Sequence, residues 1–207
     1  RYRVQVRAET DPAIFTPVPW PETSAAAWLR EALPHGGALG FDAWLHSRAE
    51  IEALTRGLDG SGISLRAIAN PVDAIWPDQP PPPAAPARIH PADLAGCDSA
   101  TRRADLAQGL RAAGVQAAVI TLADSLCWLL NIRGADIPRN PVVQGFAILH
   151  DTGNLTLFAE AAKFAPPVLD HLGPDVTLRP VAAFAPALRS LPGRPLADYR
   201  LPYWPIR

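Results

Sequence analysis

The chain has 207 residues, 48% of them apolar, and its 19 basic and 20 acidic side chains leave a net charge of −1. That is enough apolar material for one large or two small cored domains, and a charge so near zero gives no electrostatic reason to expect a nucleic acid or an anionic membrane as partner. No apolar run reaches the ~18 uncharged residues of a membrane span, and two cysteines, Cys97 and Cys127, without CxxC spacing exclude a disulfide framework and point to a reducing cytoplasm.

In chain order, Tyr2 to Ala8 alternates as a strand would, and Glu22 to Leu33 reads as a helix with Thr23 or Ser24 near its cap and His35-Gly36-Gly37 beyond its end. Ala38 to Phe41 is a short buried strand, Leu45 to Leu58 has helical period and stops at Gly60, and Ile63 to Ile68 is a second strand. Asn70-Pro71 opens a short helix through Ile75. Trp20, Trp28 and Trp44 read as core or partly exposed aromatics, and Trp76 as a staple for the proline-rich stretch beside it. That stretch, DQPPPPAAPARIHP, Asp78 to Pro91, can enter neither a helix nor a central strand and favours an extended polyproline form. It reads as a semi-rigid linker between two α/β units.

After it the pattern resumes. Asp98 to Ala113 is a helix stopped by Gly114, and Val115 to Leu122 is the near-continuous apolar run of a strand buried on both faces. Asp124 is expected to cap a short helix carrying Cys127, Trp128 and Leu129, with Trp128 in the core, where its replacement by alanine would cost about 3–5 kcal/mol. Val142 to His150 and Leu155 to Phe158 read as a hairpin around Asp151-Thr152-Gly153-Asn154. Pro166 to Leu172 is a helix, Val176 to Leu178 a strand and Ala182 to Leu191 a helix. Helices alternate with strands in both halves, so the class is α/β with sheets flanked by helices.

The segment WLLNIRGADIPRNP, Trp128 to Pro141, sets an unusual density of polar groups beside a hydrophobic run. The residues alone leave Arg133 and Asp136 open to facing a cleft, pairing with each other, or holding a turn in which Arg133 bonds backbone carbonyls and Gly134 supplies a positive φ. Asn131 and Asn140 read as turn and cap residues. No catalytic constellation competes with this segment. The five histidines, His35, His46, His90, His150 and His171, form no HExxH pattern and lie more than ten residues apart. Ser99 and Ser125 have no histidine that sequence places as a base, and Cys127 lies in an apolar run where thiols are inert. The chain has no methionine, so it is expected to be a segment of a longer product, without a visible signal peptide.

WLLNIRGADIPRNP, with Asp124 ahead of it, resembles the middle-domain motif of three-domain Xaa-Pro aminopeptidases, members of the creatinase-prolidase group. Two further stretches fit the same family in the same order. NPVDAIWPDQPPPP, Asn70 to Pro83, is similar to the family's junction between first and second domains, and RYRVQVRAETDP at the start is similar to a strand of its first domain. The matches run from Arg1 to about Phe184; the tail from Leu196 to Arg207 does not resemble the family.

The resemblance implies two creatinase-like domains with mixed sheets flanked by helices, the first incomplete: residues 1–79, a proline-rich linker at 80–90, and a second domain at 91–207. It implies that this chain is the non-catalytic N-terminal region of a cytoplasmic peptidase that releases the first residue of X-Pro peptides, shaping access to the active site and subunit contacts. The family's catalytic domain carries two aspartates, a histidine and two glutamates on two divalent metals of manganese type, and nothing here matches those motifs. No cofactor or metal is therefore expected in this segment. Its implied partners are its own C-terminal catalytic domain, a proline-containing peptide and a second copy in a homodimer, with no nucleic acid and no membrane. Arg1 is the implied substrate-binding arginine of the first domain, and Arg133 is a second candidate, turned toward the side where the catalytic domain would dock. The rival reading is a stand-alone creatinase-like binding or scaffolding module.

Overall fold

The protein is described by a computed structural model that covers residues 2–193 and 195–198. Its contacts divide it into two compact units: the residues up to Asp42 with Ala49–Asn70, and Ala43–Arg48 with the residues from Pro71 onward.

The first unit holds helices α1 (Arg3–Glu9) and α2 (Ala25–Ala32), all of α3 (Arg48–Gly57) but its first residue, and strands β1 (Gly37–Asp42) and β2 (Ile63–Ile68). The two strands pair in parallel from Gly37↔Ile63 to Asp42↔Ile68. Ser24 caps α2 by accepting the N–H of Ala27 at 3.2 Å. Leu29, Phe41, Ile51 and Leu58 form the buried apolar set, and Arg30 ties α2 to the end of α3 through the carbonyls of Gly57 and Asp59. Gly36, at φ +78°, is required twice over: a side chain there would be strained, and its Cβ would lie 2.6 Å from the carbonyl oxygen of Gly62.

The strand expected over Tyr2 to Ala8 is the helix α1. Alternating valines favour a strand only where a neighbouring strand takes their backbone groups, and no described strand pairs with this segment. The groups close locally instead. Val6 N–H bonds Tyr2 O, Thr10 N–H bonds Val6 O, and Gln5 reaches Glu9 one turn on. No residue of α1 is buried.

The second unit is built on a four-stranded sheet of order β4 (Ala117–Ile120), β6 (Phe146–His150), β7 (Leu155–Phe158), β8 (Val176–Arg179). β4 and β7 each run antiparallel to β6, and β8 runs parallel to β7. Helices α6 (Ser99–Ala112), α7 (Ala123–Leu130) and α8 (Pro166–Leu172) cover one face and α9 (Phe184–Ser190) the other. Side-chain alternation divides the strands accordingly. Ala147, Leu149, Leu155 and Leu157 pack with Leu126, Leu130 and Leu172, while Ala117, Ile148 and Phe158 pack around Phe184. Burial on both faces is why these strands read as continuous apolar runs. The hairpin turn at Asp151–Asn154 forms as expected and is clamped by Arg103, which donates to Gly153 O at 2.9 Å. The strand expected from Val142 starts only at Phe146, because residues ahead of it bond outside the ladder: Val142 O accepts Asp136 N–H, and Gln144 N–H goes to the Asp136 carboxylate.

Ahead of the sheet lie α4 (Pro71–Ile75), the two-residue strand β3 (Arg88–Ile89) and α5 (Ala92–Ala95); β3 pairs antiparallel with β5 (Ile132–Arg133). Asp98 caps α6 through the amide and hydroxyl of Thr101. Among the described residues no helix is long and apolar enough to cross a membrane.

Candidate functional site

The WLLNIRGADIPRNP segment begins on α7. Leu126, Cys127, Leu129 and Leu130 are buried. At ~100° per residue their directions cluster on one side of the helix and leave Trp128 roughly opposite. Trp128 accordingly shares a face with Asp124, but that face is the outer one, and Trp128 is 51% exposed. The core assignment of Trp128 is thus corrected, as is the cap: the N-cap position falls at Leu122, and Asp124 sits in the first turn with its carboxylate on the N–H of Ser125. Trp20 (76% exposed), Trp28, Trp44 and Trp76 are also exposed.

Beneath Trp128 lies Arg102 of α6, its guanidinium carbon 4.5 Å from the indole centroid. The guanidinium is buried and ends on three oxygens: the carbonyls of Ala95 and Trp128 and the side-chain oxygen of Asn131. Asn131 ends α7 in the left-handed conformation at φ 50°, a role asparagine fills more readily than most residues. Its amide donates to Cys97 O at 2.8 Å, and its backbone oxygen accepts from His90. One arginine and one asparagine therefore join α5, α6, α7 and the residue that follows β3.

Past Asn131 the chain makes β5 and turns. Gly134 does not have the positive φ expected of it; the requirement is room, since a Cβ there would lie 2.6 Å from the Val142 carbonyl oxygen. The tip is a four-residue turn closed by Asn140 N–H to Ile137 O, with Arg139 at φ 64°. The two arms join through Gly134 N–H to Pro141 O and Asp136 N–H to Val142 O.

Asp136 and Lys163 form the buried centre of the site. Their side chains are 0% and 4% exposed, with Nζ 2.6 Å from Oδ2. The carboxylate also accepts the N–H of Gln144 at 2.7 Å and of Ala85 at 3.2 Å, while Lys163 donates to Gln144 O at 3.2 Å and its own carbonyl accepts Ala87 N–H. This cluster fastens the proline-rich strand of chain to the body of the second unit and holds Gln144 out of the ladder. A compact ammonium suits it better than a wide, planar guanidinium. Sequence reasoning missed the pairing, although one lysine among 19 basic residues was a signal.

Arg133, proposed as a substrate contact, is half-buried and donates to Cys127 O at 3.3 Å and Ile132 O at 2.8 Å. Arg133 and Asp136 do not bond each other; Asp136 takes Lys163 instead. Arg1 lies outside the described residues. Among the described residues no group of three or more His, Cys, Asp or Glu side chains is placed to hold a metal ion.

Cys127 is buried, with Sγ accepting Val143 N–H at 3.1 Å; burial pushes its thiol pKa up, and the Val143 N–H only partly offsets this. A thiol reagent at neutral pH is expected to label Cys97, which is partly exposed, and to spare Cys127 until the protein unfolds. Mass spectrometry of the labelled native protein checks this, and rapid modification at Cys127 would refute it.

The creatinase/prolidase N-terminal domain model matches residues 78–202, which spans this whole cluster. The chain belongs to the creatinase/prolidase N-terminal domain family. This creatinase/prolidase N-terminal domain protein is 37% identical over 158 residues to a probable Xaa-Pro aminopeptidase P of Aspergillus niger, covering 74% of this chain and 25% of that protein. It is 33% identical over 175 residues to aminopeptidase P2 of Arabidopsis thaliana, covering 83% of this chain and 24% of that one. The chain thus spans about a quarter of the length of these relatives. In fold it matches the crystal structure of the X-prolyl aminopeptidase from Caenorhabditis elegans, described as a cytosolic enzyme with a di-nuclear active site. The TM-score is 0.82 over 90% of this chain and 31% of that one, at 24% identity. The creatinase/prolidase fold expected from the sequence, α/β with helices flanking mixed sheets, is the one observed.

Proposed function

We propose that the chain is the non-catalytic N-terminal region of a cytoplasmic Xaa-Pro aminopeptidase, working with a catalytic domain on the same polypeptide. The observation that carries the reading is the similarity to aminopeptidases P at 33–37% identity across about three quarters of the chain or more. In this proposal the two divalent metals, of manganese type, would belong to the catalytic domain and would supply Lewis-acid chemistry to the peptide bond there. An X-Pro bond lacks the amide N–H that ordinary peptidases grip, so access depends on the shape of the surrounding walls, and this region is read as one of them. The proposal retains Arg1 as a substrate contact. It retains Arg133, half-buried at the end of α7, as a second substrate-binding candidate, and a homodimer as the working assembly. It also keeps Pro80–Pro83 as the joint between domains 1–79 and 91–207. The exposure of those prolines and the separate sheets of β2 and β4 support the joint, while the contacts of Pro71 and the residues after it pull the boundary earlier.

Purified alone, the chain is expected to release nothing from an X-Pro peptide with manganese, cobalt or zinc added, whereas the polypeptide that continues it releases the first residue in a chelator-sensitive reaction. Chelator-sensitive turnover that follows the isolated chain through purification would overturn the non-catalytic assignment. A parent polypeptide inactive on X-Pro peptides would overturn the family activity. In that parent, Arg133→Ala should lower kcat/KM; unchanged kinetics would remove Arg133 from the proposal.

A further inference from the structure

A cleft of about 470 Å³ opens at one end of the four-stranded sheet of the second unit. Its walls come from the segments that follow β4, β7 and β8 and the one that leads into β6. Those three strands run parallel to one another, so the cleft lies beyond their carboxyl ends, where open α/β sheets ordinarily hold their ligands. Pro82, Pro83, Phe146 and Val181 give it an apolar lining, and Phe146 is held flat by stacking on Phe184 at 4.6 Å.

The polar wall is Lys163. Its ammonium has three N–H donors. One goes to Asp136 and one to Gln144 O, and among the described residues the third meets no acceptor, although the residue is 97% buried. A buried donor without a partner is costly, and an oxygen placed in the cleft would relieve that cost. The charges decide which kind of oxygen. Asp136 already balances Lys163, and the acidic residue Glu160 also lines the cleft, so a second anion would find the lysine neutralised and an acidic neighbour beside it.

We propose that this cleft binds a small, largely apolar molecule carrying one neutral carbonyl oxygen, of an amide or ester, which accepts the third N–H of Lys163 while its body lies against Phe146 and the two prolines. The proposal does not depend on the peptidase reading. The test is a titration of the ¹⁵N-labelled chain with benzamide, benzoate and benzylammonium, three probes built on one phenyl ring that differ in charge and in the carbonyl oxygen they offer. Benzamide should give saturable shifts at the Gly145, Phe146 and Lys163 amides and at the Lys163 ammonium, with benzoate and benzylammonium each at least about ten-fold weaker. Val181→Trp, a change at a partly exposed lining position, should abolish those shifts and leave the rest of the spectrum in place. The proposal is overturned if benzamide produces no saturable shifts, if either charged probe binds as well, or if Val181→Trp leaves benzamide binding intact.

Discussion

Asp136→Ala is expected to destabilise the second unit by about 3–5 kcal/mol, the range for removing one member of a buried ion pair. The loss has two parts. Lys163 would keep a charge at a side chain that is 4% exposed, and the N–H groups of Gln144 and Ala85 would lose their acceptor. Lys163→Met should cost toward the lower end of the same range, because the carboxylate left behind still holds both backbone donors. The double variant Asp136→Leu/Lys163→Met should be more stable than the sum of the single losses predicts, since no uncompensated charge remains. It should still fall short of the parent because the two amides stay unpaired. Urea melts of the three variants test this. Single losses below about 1 kcal/mol, or strict additivity, would mean that the pair is not the centre of the site.

Arg102→Met should cost about 3 kcal/mol, while Trp128→Ala should cost only about 1 kcal/mol. The arginine satisfies the Ala95 and Trp128 carbonyls and the side chain of Asn131, and methionine can fill its stem but none of those bonds. Arg102→Lys should not rescue it, because a single ammonium cannot span acceptors that a planar fork reaches together. Trp128 contributes one ring face to that guanidinium and leaves the rest of the indole at the surface. The ordering is the opposite of what a buried Trp128 would give. Thermal or urea melts in which Trp128→Ala proved the costlier change would restore the core reading.

Many of the elements are legible in the sequence. β7 and α8 fall where the pattern put them, over Leu155–Phe158 and Pro166–Leu172, because each is a short apolar stretch bounded by turn chemistry. β2 and α4 were equally plain, with Asn70-Pro71 marking the boundary between them. The family could be named from motif resemblance, since RYRVQVRAETDP, NPVDAIWPDQPPPP and WLLNIRGADIPRNP resemble its motifs in the same order.

The errors share a cause. Tyr2 to Ala8 has a pattern compatible with either a strand or a helix, and the choice depends on whether a distant strand is there to pair with it. Asp124 and Trp128 were correctly placed on one helical face. Whether that face points inward is set by the sheet that α7 packs against, and Leu126, Cys127, Leu129 and Leu130 take the inner side. Gly134 was recognised as necessary, but for its backbone angle rather than for the Val142 carbonyl 2.6 Å from where its Cβ would be. Composition, periodicity and turn residues act over a few positions, and they settled the class and most elements, while the motifs pointed to the family. The Asp136–Lys163 pair spans 27 residues and the Arg102–Asn131 bond 29. Such contacts exist only once the sheet has brought their segments together, and burial then makes them strong, so their partners are fixed by folding and not by neighbours in the chain.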